Sequence, residues 1–106
     1  MRFFVKDREQ QDCLLEAIKY VKRLYITTAF DIEHEGEASE IRRWADFFLD
    51  KFSVFPAPVF WNVEVQEKEM LEWMLNNYGQ EHKAFFNPKP SEVAKTILSV
   101  KENFHA

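Results

Sequence analysis

The sequence predicts an α/β domain, and three observations carry that reading. Leu24–Phe30 is the longest run free of charge, Gly and Pro, and it is dominated by β-branched and aromatic residues. Such a run suits a strand covered on both faces. Apolar residues recur at helical spacing on either side of it, most clearly from Ile41 to Phe52. Short extended segments then alternate with helical ones four times, and crossovers of that length favour parallel neighbours. The expectation is a compact single domain over residues 1–106, with about four strands and four helices. Its sheet is parallel or mixed, with Leu24–Phe30 as an internal strand.

In order, Arg2–Lys6 reads as the first strand, with Phe3 and Val5 on one face and Phe4 on the other. Asp7 is an N-cap, and Gln10 three positions on makes something close to a capping box. The helix from Arg8 to Lys22 carries Leu14, Ala17, Ile18 and Val21 on one stripe, flanked by Cys13 and Leu15. After the central run comes an acidic segment, Asp31–Glu37. A second helix follows, capped at Ser39 or begun earlier at Gly36, with Ile41, Trp44, Ala45, Phe48, Leu49 and Phe52 in period and Phe47 off the stripe. Pro56 and Pro58 end it, and either X-Pro bond is open to the cis form.

Val59–Val65 alternates, with Val59, Trp61, Val63 and Val65 on the covered side, as in a strand near the sheet edge. A third helix runs from Gln66 to Tyr78, with Gly79 in the place of a left-handed C-terminal cap. Ala84–Phe86 forms a short strand. The last helix extends from Val93 to Phe104, with Ile97, Leu98 and Phe104 inward.

Composition narrows function. A net charge of −4 and a pI near 5.4 argue against a protein that grips phosphate backbones. One cysteine, Cys13, precludes an internal disulfide and suggests a reducing, cytoplasmic setting. The N-terminus meets charge too early for a signal peptide, and no apolar run reaches the ~20 residues of a membrane span. With two glycines there is no Gly-rich phosphate loop, so no nucleotide or other cofactor is expected.

Three site readings remain. Asp31, Glu33, His34 and Glu35 offer carboxylates and an imidazole beyond a presumed strand end, the donor set of a metal-dependent hydrolase or nuclease, with Glu64 as a further carboxylate. Their spacing matches no defined metal loop, and negative charge before a helix N-terminus is favourable in its own right. Cys13 with a histidine would be a thiol nucleophile, but its mid-helix place suits a buried free thiol. The aromatics make up 16% of the chain, and Phe47, Phe55, Phe60, Trp73, Phe85 and Phe86 fall off the clear stripes. Some of these rings are therefore expected at the surface, with Glu64, Glu69 and Glu72 near some of them and Lys83 and Lys89 near others.

The preferred reading is a non-catalytic interaction domain of inhibitor, immunity or regulatory type. Phe60 and Trp73 would anchor it, with Glu64, Glu69 and Glu72 as a charged rim, for a basic protein partner or a second copy of the chain. A nucleic-acid accessory role would instead need a basic face from Lys19, Lys22, Arg23, Arg42 and Arg43.

Overall fold

Alternation in the first strand fixes which side of the sheet is inside. The computed structural model describes residues 1–27, 35–85 and 92–105. Strand β1 (Arg2–Val5) buries Phe3 and Val5 completely and leaves Arg2 and Phe4 outside. It is followed by α1 (Arg8–Thr27), α2 (Glu35–Ser53), β2 (Val59–Asn62), α3 (Val65–Phe85), α4 (Glu92–Lys101) and β3 (Phe104–His105). The sheet order is β2-β1-β3 with both pairings antiparallel, so among the described residues β1 is the internal strand. Helices cover one face of the sheet, and the molecule is mostly helical.

The ladder bonds show how β1 divides its backbone. Val63 N–H donates to the Met1 carbonyl at 2.8 Å, and Phe4 N–H donates to the Asn103 carbonyl at 3.1 Å. Odd residues of β1 thus bond towards β2 and even ones towards β3. Phe3 and Phe104 then form a close, non-hydrogen-bonded pair, and their rings stack at 4.3 Å. Phe3, Phe48, Phe52 and Trp61 form the aromatic centre of one continuous core, with Leu14, Ile18, Val21, Leu71, Met74 and Leu75 around them.

The caps read from sequence are present. Gln10 N–H donates to Asp7 Oδ1 and Lys6 N–H donates to Gln10 Oε1, each at 2.9 Å, so the first turn of α1 is tied from both sides. Asn103 Nδ2 also donates to Gln10 Oε1, which joins this cap to the turn before β3. At the head of α3, Glu64 N–H donates to Glu67 Oε2, the return half of a capping box. That bond ends β2 early: Val65 begins a helix and is exposed, not on the covered face. The stripes of α1 and α2 face the core as expected, and α2 starts at Glu35, ahead of Ser39.

Among the described residues three strands form an antiparallel sheet, in place of about four in a parallel or mixed one. Leu24–Thr27 is the last turn of α1, while 28–30 lie outside the described residues. The stripe Leu14, Ile18, Val21 continues to Tyr25, whose ring lies 5.7 Å from Trp73 and whose carbonyl accepts from Arg42 Nη1 at 3.2 Å. Packing against α3 and α2 therefore overrides the modest strand preference of these residues. Direction follows: with two helices between β1 and β2, the chain re-enters the sheet from the far end and pairs antiparallel.

The C-terminal third also differs from the pattern read in its residues. Ala84 and Phe85 belong to α3, and Phe86 lies outside the described residues. Helix α4 stops at Lys101 and Phe104 is in β3; Leu98 is exposed, while Ala94, Ile97 and Val100 are buried. Gly79 caps nothing, because α3 runs through it and no glycine has positive φ. A Cβ there would meet Ile97 Cδ1 at 3.7 Å, an ordinary contact. Gly79→Ala is therefore expected to stabilise the fold by about 0.5–1 kcal/mol. Urea denaturation checks this, and a lower midpoint would mean that α3 and α4 leave no room for the methyl group.

The Ala57–Pro58 peptide is cis. The surrounding turn is held by Gln11, whose Nε2 donates to the carbonyls of Phe52 (3.0 Å) and Phe55 (2.7 Å) and whose Oε1 accepts from Ala57 N–H (2.9 Å).

Candidate functional site

A groove of about 490 Å³ opens between α2 and the corner where β2 turns into α3. Helix α2 supplies Glu40, Arg43, Trp44 and Phe47, a second i, i+3, i+4, i+7 face beside its buried stripe. The opposite wall is Glu64 and Glu67, the two residues of the α3 cap. Trp44 is half-buried against the core, whereas Phe47 is 46% exposed; their rings meet edge to face at 6.1 Å and 82°.

Lys51 closes one side. Its ammonium donates to Glu67 Oε1 at 3.1 Å and to the Asn62 carbonyl at 2.9 Å, and lies 5.6 Å from the centroid of the Phe47 ring. Asn62 stands opposite Arg2 in a non-hydrogen-bonded pair, so its carbonyl points to the free edge of β2. Lys51 thus covers part of an edge that would otherwise offer itself to another strand. Glu67 is nearly buried and its charge is met by Lys51. Glu40, Arg43 and Glu64 enter no ion pair among the described residues.

Of the anchors and rim read from sequence, Glu64 alone lines this groove. Phe60 is 55% exposed on the outer face of the sheet, opposite Phe4, with the Arg2 guanidinium 5.3 Å from its ring centroid. Trp73 is half-buried on α3 against Tyr25. Glu69 is exposed, and Glu72 pairs with Lys68 at 3.6 Å. Phe47 and Phe55 are exposed rings, as expected from their phase, while the side chains of Phe85 and Phe86 are outside the described residues. The sequence reading assigned Trp44 to the core and Arg43 to a basic face, and did not single out Glu67. The signals for them were the 40/43/44/47 spacing and a Glu three residues after Glu64.

Asp31, Glu33 and His34 lie outside the described residues, and only the backbone of Glu35 is described, as the first residue of α2. Among the described residues, no three His, Cys, Asp or Glu side chains converge to hold a metal ion. Burial and the nearby Glu9 raise the Cys13 thiol to about 11, so it is protonated at neutral pH and supplies no thiolate there. Burial, with Glu37 as the smaller cause, also raises the Tyr25 hydroxyl. Of the residues of the basic-face reading, Lys19 pairs with Glu16, Lys22 with Asp46, and Arg42 bonds the Tyr25 carbonyl, while Arg43 lines the groove without an ion pair among the described residues. No described helix is long and apolar enough to cross a membrane.

Comparison with protein-family models, with curated proteins and with solved structures finds no match to this chain.

Proposed function

We propose that this is a non-catalytic interaction domain that docks a protein partner on the groove between α2 and the β2–α3 corner. The observation that carries the reading is the Trp44–Phe47 corner, two rings at right angles in a concavity walled by carboxylates. Aromatic anchors in a depression ringed by charge are the makings of a binding hot spot. The Val54–Phe55 turn and the Phe4–Phe60 pair also expose apolar surface, but among the described residues their rings line neither this groove nor the cavity between Arg8, Asp12 and Val54. An inhibitor, immunity or regulatory role fits such a surface, and the single cysteine, kept as a thiol, is in keeping with the cytoplasm.

Phe47 is the variant of choice because its exposure keeps the effect on folding small. Phe47→Ala is expected to weaken capture of the partner from a host lysate about ten-fold, within the range of aromatic hot spots. Equal capture by both proteins would place docking elsewhere. Sedimentation of the purified chain tests a second copy as the partner: a dimer that Phe47→Ala turns into a monomer would identify it.

A further inference from the structure

We infer that the groove receives an arginine side chain of the partner, an inference that rests on the docking reading above. The lining matches a guanidinium. Trp44 and Phe47 line the groove as an edge-to-face pair, and a guanidinium is attracted to such rings. Glu40 and Glu64 lack an ion-pair partner among the described residues, so each retains a carboxylate for a forked donor. The lining holds three carboxylates and one cation, Arg43; Lys51 beside it meets the charge of Glu67, and the chain as a whole carries −4. The site already accommodates one positive group: the Lys51 ammonium lies against the Phe47 ring while bonded to a carboxylate and a carbonyl. Arg43 shares the α2 wall with Glu40, three residues before it, so it opposes a cation on that wall and leaves Glu64, on the opposite wall, as the favoured contact.

The test is a titration followed by the Trp44 indole N–H resonance. The probe is a Gly/Ser hexapeptide with two arginines, and the comparison peptide carries citrulline, neutral and nearly the same shape, in their place. The arginine peptide is expected to shift the Trp44 signal and to bind at least five-fold more tightly than the citrulline peptide. Glu40→Gln with Glu64→Gln should remove most of that difference. Glu16→Gln with Glu102→Gln, which remove the same charge elsewhere, should leave it intact. Equal binding of the two peptides overturns the inference, and so does equal weakening by both double variants, which would reduce it to general attraction. A lysine peptide that binds as tightly as the arginine one overturns the preference for guanidinium. If partner capture depends on Phe47 while the peptides show no discrimination, the docking reading stands and the arginine assignment falls.

Discussion

Phe52→Ala is expected to destabilise the protein by about 3–5 kcal/mol, the usual range for removing a fully enclosed phenyl ring. Phe52 has no solvent exposure, and its ring touches three others: Phe3 at 5.6 Å, Phe48 at 5.6 Å and Trp61 at 4.9 Å. It therefore joins the last turns of α2 to both β1 and β2, and a cavity there would open the contact between helix layer and sheet. Small domains hold only about 5–15 kcal/mol in all, so the variant is expected to be partly unfolded near body temperature. Equilibrium urea denaturation measures the loss. Phe55→Ala, three residues on, is the control: Phe55 is 58% exposed, and its removal should change stability by no more than about 0.5 kcal/mol. Similar losses in the two variants would contradict the packing described.

Gln11→Ala is expected to lose about 2–4 kcal/mol, more than the area of the side chain would suggest. Gln11 is buried on α1 and carries the bonds that fold residues 52–57 against that helix. Truncation leaves the carbonyls of Phe52 and Phe55 and the Ala57 N–H without their partner. The exposure of residues 53–56 lets water repair some of this, which keeps the expected loss below the sum of three unmade bonds. Gln11→Glu separates shape from hydrogen bonding. A carboxylate would face two carbonyl oxygens, so its folded-state pKa rises above the usual ~4.3. A folded state that binds the extra proton loses stability as pH rises through that window, so the variant should recover on acidification relative to wild type. A Gln11→Glu protein with the wild-type pH profile would show that Gln11 does not hold the turn.

Much of the architecture was legible because it rests on local signals. The Asp7–Gln10 cap, the stripes of α1 and α2, the alternation of β1 and the edge position of β2 follow from spacing alone. Two of the departures share one cause. Leu24–Thr27 and Ala84–Phe85 are helix ends whose β-branched, aromatic or short apolar composition resembles strand, and only their packing partners separate the two. For the groove, phase marked Phe47 as exposed and Glu64 as solvent-facing, but nothing in one dimension indicates that α2 and the α3 cap face each other.

By itself the sequence determined which faces of its elements are apolar, where helices begin, and that this acidic chain carries more aromatic rings than its core encloses. Tertiary structure alone decided the direction of the sheet, the length of α1 and α3, and the meeting of Trp44 and Phe47 with Glu64 and Glu67. The physical reason is range. Caps and stripes are set by neighbours within a turn or two, whereas strand direction and cavity walls depend on how many helices intervene and on which distant side chains they bring together.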